Sequence, residues 1–123
     1  MTNNYDIHER IFRYIVKVIK FLDKLPKTSS NLIFINQITR SVTSMGANDQ
    51  EADGAVSTKD FLHGFTIVRK EGKETVFWIR IIEETNSSKF RNEAMELSGE
   101  GREIVAIISS IMKKTVDNYK SKL

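Results

Sequence analysis

Few residues in this chain have the types and spacing that chemistry requires. Arg40, Ser44, Asn48 and Glu51 recur at steps of four, four and three, which puts them on one face of a helix. Asp53-Gly54 is a strong breaker, and Ser57 three residues before Asp60 fits a capping box, so the chain should turn here and fold back as a second helix. Antiparallel pairing about this turn sets Asn48 near Leu62, Ser44 near Thr66 and Arg40 near Lys70 to Glu74. One reading of Arg40, Ser44, Asn48, Glu51, Glu71 and Glu74 is a partly buried polar cluster that fixes helix register, with Arg40 paired to Glu71 or Glu74. The other is a ligand or catalytic site. The stripe holds no nucleophile paired with a base, which favours the structural reading.

Metal chemistry finds equally little support. A di-iron bundle needs Glu-x-x-His on two helices with further carboxylates, and the nearest match is a single Asp60-x-x-His63 beside a helix start. His8 lies near the amino terminus with no obvious partner, so both histidines read as surface or local hydrogen-bonding groups. Glu83-Glu84 and Glu71 with Glu74 are ordinary helix carboxylates, because paired-acid hydrolysis needs a cleft that packed helices rarely supply. No phosphate-cradling glycine loop and no Cys or His metal quartet occurs. The expectation is a non-enzymatic protein with no metal and no cofactor.

Charge offers a different handle. Arg10, Arg13, Lys17, Lys20 and Lys24 recur at steps of three and four, forming a basic row that outnumbers Asp6, Glu9 and Asp23 by five to three. Lys113, Lys114, Lys120 and Lys122 stand against Asp117 in a basic tail whose end should fray. The whole chain carries a net charge of only +3, too little to announce nucleic-acid binding unaided. Copies of the row arranged around a symmetry axis would nevertheless sum into a surface that attracts phosphates. A simple solvated face is the plainer alternative.

Apolar periodicity supplies the elements that carry these groups. Four helices are expected, at about 5–24, 30–53, 58–85 and 89–119, in one domain spanning residues 1–123. The first carries Ile7, Ile11, Tyr14, Ile15, Val18, Leu22 and Leu25 along its seam, running from about Tyr5 to the break before Pro26. The second, capped by Ser29 or Ser30, carries Leu32, Ile35, Ile38, Val42, Met45 and Ala52. Phe61, Phe65, Val68, Gly72, Thr75, Ile79 and Ile82 line the third, and Phe90, Ala94, Leu97, Gly101, Ile104, Ile108 and Ile111 the fourth. Gly99 and Gly101 mark a bend or a close helix approach. The fold class is an all-α, up-down-up-down antiparallel four-helix bundle, left-handed.

Some apolar residues are surplus to such a core. Phe12, Val16 and Ile19 form a second stripe on the first helix, and Phe77, Trp78 and Ile81 lie off the seam of the third. A wide core absorbs them, or they meet another subunit. Trp78 reads as packing rather than as a platform for bases. The absence of cysteine is compatible with a reducing cytoplasm, and no basic-then-apolar leader or membrane-length run is present, so a soluble cytoplasmic protein off the membrane is expected.

The run Arg40-Ser-Val-Thr-Ser-Met-Gly-Ala-Asn48, then Glu51-Ala52, Ser57 with Asp60-Phe61, Lys70-Glu71, and Glu74-Thr75 with Trp78, carries a resemblance. As an ordered set over about 45 residues it resembles the bacterial four-helix-bundle or 23S rRNA-intervening-sequence protein family, with Met45 where Ile is usual and Gly64 where a larger residue is typical. The resemblance implies a ring-shaped homopentamer and, through the genes that encode such proteins, an association with rRNA. Accessory proteins of diversity-generating retroelements are a looser likeness. The leading expectation is an oligomeric protein binding RNA or other nucleic acid without sequence reading, through Arg10, Arg13, Lys17, Lys20, Lys24, Lys113, Lys114, Lys120 and Lys122. The alternative is an oligomeric scaffold or adaptor whose partner is a protein.

Overall fold

The computed structural model describes residues 6–123, so Tyr5, the expected start of the first helix, lies outside the described residues. The helices are α1 (Ile7–Asp23), α2 (Ser29–Asp53), α3 (Thr58–Thr85) and α4 (Arg91–Ser121), with a 3₁₀ turn at Ser88–Phe90 leading into the last. The fold is an all-α bundle. α4 begins later than expected because the 3₁₀ turn takes up Lys89 and Phe90, and it continues through the basic tail to Ser121.

α1, α2 and α3 each start on a side-chain acceptor for the orphan amides of a helix N-terminus, while α4 follows Phe90 with no side-chain cap and is entered through the 3₁₀ turn that Ser87 caps. The His8 and Glu9 amides donate to the Asp6 carboxylate, and the Asp60 amide donates to Ser57 Oγ at 3.1 Å. Thr28, not Ser29 or Ser30, caps α2: its backbone is extended, its hydroxyl accepts from the Asn31 amide, and the two serines already belong to the helix. At the same end of the bundle the buried Asn31 and the half-buried Asn86 exchange amide hydrogen bonds of 2.8 and 3.0 Å, and Asn31 also donates to the Pro26 carbonyl, so the two inter-helix loops are stitched together.

Cross-helix contacts fix the directions. Arg40 meets Glu74 and Ala52 lies against Gly64 between α2 and α3; Arg10 meets Glu100 and Lys24 meets Glu93 between α1 and α4. Rising numbers on one helix meet falling numbers on the next, so these neighbours run antiparallel. Between α3 and α4, glycines let the helices close up. A Cβ on Gly101 would lie 2.5 Å from the Tyr14 hydroxyl and 2.6 Å from Val76 Cγ2, and one on Gly72 would lie 2.9 Å from Val105 Cγ2. At Gly99 nothing lies within 4 Å, so of the two glycines in α4 only Gly101 marks a close approach.

Apolar side chains of all four helices meet in one cluster, with Tyr14, Phe21, Phe65, Ile38, Met45, Ile79 and Ile104 essentially inaccessible. Met45 occupies the core as an aliphatic residue would. Leu32 departs from the expected seam: it is 51% exposed, because it sits in the first turn of α2 and faces away from the cluster. Phe21 joins the core although the periodicity of α1 did not single it out.

Candidate nucleic-acid interface

Most of the α1 basic row is already occupied by carboxylates. Arg10 reaches Glu100 of α4 through Nε and Nη2, both at 2.8 Å, and Glu103 through Nη2 at 2.6 Å. The hydrogen bond to Glu100 first, and that to Glu103 next, raise the Arg10 pKa above its ordinary value. Lys24 meets Glu93 at 2.9 Å, and Arg13 meets Glu9 one turn away at 3.0 Å. Among the described residues Lys17 and Lys20 have no ion pair, and both are exposed. Arg10, Arg13, Lys17 and Lys114 line the groove between α1 and α4, but so do Glu9, Glu96, Glu100 and Glu103. In the tail Lys113 meets Asp117 at 3.2 Å, while Lys120 and Lys122 are exposed on the last turn. Of the nine basic residues, the structure thus brings Arg10, Arg13, Lys17 and Lys114 to one groove, which they share with four carboxylates.

The polar stripe crosses the hairpin at one end only. Arg40 pairs with Glu74, and its Nη1 lies 3.9 Å from Glu71 Oε2. Asn48 turns back along its own helix, donating to the Ser44 carbonyl and lying 3.3 Å from Ser44 Oγ, and Glu51 is exposed. The buried bridge is one residue along: Ser41 Oγ and Thr75 Oγ1 are 2.6 Å apart at the centre of the α2–α3 contact, and each also donates or leans toward a helix carbonyl, Ile38 O and Glu71 O. Thr75 had the spacing of a seam residue, and its pairing with Ser41 becomes visible only once the helices are in register.

His8 does have partners. Its Nδ1 lies 2.8 Å from Asp49 Oδ1 and its Nε2 3.2 Å from Asp53 Oδ1, so the start of α1 is tied to the end of α2. Asp49 is only 2% exposed. Burial raises its pKa and the His8 hydrogen bond opposes that rise, while Asp53 adds to it. The signal missed was Asp49 and Asp53, one turn apart at the end of α2, facing a histidine at the start of the adjoining helix. His63 and Asp60 line a shallow depression with Asn48 and Glu51 beside the α2–α3 turn. Among the described residues no group of three or more His, Asp or Glu side chains is placed to hold a metal ion.

Two apolar patches remain on the outside. Phe12 is 61% exposed, and with Val16, Ile19 and Leu32 it occupies the outer side of α1 and α2. Ile33 and Phe77, the latter 53% exposed, flank Phe34, Trp78 and Ile81 across α2 and α3. Phe34 stacks on Trp78 with ring centroids 5.8 Å apart, and Phe77 meets Trp78 edge-on at 5.1 Å. Trp78 packs here without its Nε1 finding an acceptor.

The model of the 23S rRNA-intervening sequence protein family matches residues 3–110. The chain belongs to that family. It is similar to a protein of unknown function from the S23 ribosomal protein family of Bacteroides thetaiotaomicron, known from its crystal structure, with 26% identity over 91% of this chain and 99% of that one and a TM-score of 0.78. No curated protein matches the chain. The matched span includes α1 to α3 and most of α4, but stops before the lysines at 113, 114, 120 and 122. No helix among the described residues is long and apolar enough to cross a membrane.

Proposed function

We propose that this chain is the subunit of a self-assembling, non-enzymatic particle that associates with RNA in the cytoplasm. The observation that carries the assembly is the pair of outward apolar patches, the exposed Phe12 and Val16 with half-buried Ile19 on α1, and the exposed Phe77 with half-buried Trp78 and Ile81 on α3. They differ in composition, so the natural contact is heterologous: one patch of each copy against the other patch of the next, which closes into a ring when the rotation allows. The family likeness favours five subunits. RNA as partner rests on the family's description, on the net charge of +3, and on the way a ring repeats each basic side chain around its axis. The reading includes no metal, no cofactor and no reaction.

Light scattering coupled to size exclusion tests the assembly. A mass near five times 14.1 kDa supports the ring, and a monomer at all concentrations overturns it. Substitution gives a sharper arm. Phe12→Glu and Phe77→Glu should each abolish the ring, while an equal mixture of the two variants should form a dimer through the one contact left intact. Salt-dependent retention of RNA tests the partner. Tight assembly with no affinity for RNA at low salt would support a protein scaffold instead.

A further inference from the structure

The acids and bases of this chain are not mixed evenly over its surface. Carboxylates line the α1–α4 groove and the outer α2–α3 edge, where Glu93, Glu100, Glu103 and Glu74 pair with Lys24, Arg10 and Arg40. On the remaining side, over the α3–α4 seam, the pattern reverses. At 100° per residue Arg69, Lys73 and Arg80 fall within about 40° of one another on α3, next to Val76. On α4 Arg91 and Arg102 fall within about 20°, next to Val105. Val76 and Val105 are the residues that the Gly101 and Gly72 contacts place at the α3–α4 interface, so both rows border the same seam.

The register sets the rows side by side. Lys73 follows Gly72, which abuts Val105, and Arg102 follows Gly101, which abuts Val76, so these two cations stand at nearly the same level of the bundle. Arg69 is half-buried, the other four are exposed, and among the described residues none of the five has an ion pair or a side-chain hydrogen bond. Between Lys59 and Ile82 that face of α3 carries no carboxylate, and neither does the facing side of α4 between Arg91 and Lys113; Glu83 and Glu84 stand only at the end of α3. Unpaired guanidinium and ammonium groups held on rigid helices lose less on meeting phosphate than Arg10, Arg13 and Lys24 of α1, which would first have to leave Glu100, Glu9 and Glu93. Among the described residues that leaves only Lys17 and Lys20 of the α1 row free.

We infer that the α3–α4 seam, through Arg69, Lys73, Arg80, Arg91 and Arg102, is the surface that holds the phosphate backbone of duplex RNA; this rests on the RNA association proposed above and relocates it from α1 and the tail. The α3 row runs about 16 Å at 1.5 Å per residue, and adjoining helix axes lie about 8–10 Å apart, so the two rows can follow phosphates of both strands. The aromatic beside the α3 row, Phe77, leans edge-on into Trp78 and is taken up in the subunit contact proposed above, and the contact is therefore with backbone and shape rather than with unpaired bases.

The test uses the full chain in its native assembly and three labelled probes of equal length: an RNA duplex, the same RNA single-stranded, and a DNA duplex. The wild type should prefer the RNA duplex and lose affinity steeply between about 50 and 200 mM salt. Arg69→Glu/Lys73→Glu/Arg80→Glu/Arg102→Glu should weaken duplex RNA binding by about 100-fold or more, and the matching Gln variant should flatten the salt slope by about one per charge removed. Lys17→Glu/Lys20→Glu should bind like the wild type. Circular dichroism and mass in solution confirm that each variant retains the fold and assembly. Loss of binding in the α1 variant with retention in the α3–α4 variants overturns this inference and leaves the RNA association standing, as does preference for the single strand or for DNA. A wild type that binds none of the probes overturns both.

Discussion

Arg10 of α1 grips Glu100 of α4 with two parallel hydrogen bonds, Nε to Oε2 and Nη2 to Oε1, each 2.8 Å long. The buried side chains of α1 hold it in the core, and this fork adds a directional tie to α4. The pair is partly screened, with about a fifth of Arg10 and a third of Glu100 exposed, which limits its worth.

A double-mutant cycle of Arg10→Met with Glu100→Gln should therefore show a coupling of about 1 kcal/mol in urea denaturation. Arg10→Lys should recover less than half of it, because an ammonium cannot reproduce the planar fork. Coupling indistinguishable from zero would mean that the fork holds nothing in place.

The two glycines of α4 should respond to alanine with opposite signs. At Gly99 a Cβ meets nothing within 4 Å, so Gly99→Ala should stabilise by up to about 1 kcal/mol through helix propensity alone. At Gly101 the same Cβ would press on the Tyr14 hydroxyl and Val76, both buried, and Gly101→Ala should destabilise by about 1–3 kcal/mol. Thermal unfolding of the two variants beside the wild type decides it, and equal shifts would refute the close approach.

That contrast shows where the sequence was readable. The 3.6-residue period revealed four helices and nearly the whole core, because burial of a stripe is written into spacing within one element. It could mark Gly99 and Gly101 as a pair, but only the packing of α3 on α4 separates their roles. The same limit explains the charged groups. Arg10, Arg13, Lys17, Lys20 and Lys24 form a legible row, yet Glu100 and Glu103, which hold Arg10, and Glu93, which holds Lys24, lie about 70 to 90 residues away, and no local pattern reports that pairing. Arg69, Lys73 and Arg80 also have legible spacing, but they join Arg91 and Arg102 only once the glycine contacts set the register.

Ser41 and Thr75 supply a test of how the α2–α3 hairpin is held. Their hydroxyls are fully buried, so removing one leaves the other short of a partner, although each retains a helix carbonyl. Ser41→Ala and Thr75→Val should each cost about 0.5–1.5 kcal/mol, and the double variant should cost less than the sum, since an apolar pair leaves nothing unsatisfied. Chemical denaturation of the three variants measures this. Strict additivity would show that the two hydroxyls act independently through Ile38 O and Glu71 O.

His8 gives the chain a pH dependence whose sign follows from Asp49. Burial raises the Asp49 pKa above its ordinary value, so Asp49 alone favours the folded state most below pH about 4 and loses that contribution as pH rises through its folded value. The His8 hydrogen bond opposes the rise by stabilising the carboxylate. In His8→Ala the opposition disappears, the folded pKa climbs further, and an ionised Asp49 is left buried without its partner at neutral pH. The variant should be less stable than the wild type by about 1–3 kcal/mol at pH 7, and the deficit should shrink as pH falls toward 4 and Asp49 takes up its proton. Urea denaturation at both pH values checks it; a deficit that stayed constant on acidification would show that His8 acts through packing against Phe65, 6.2 Å away between ring centroids, rather than through the carboxylate.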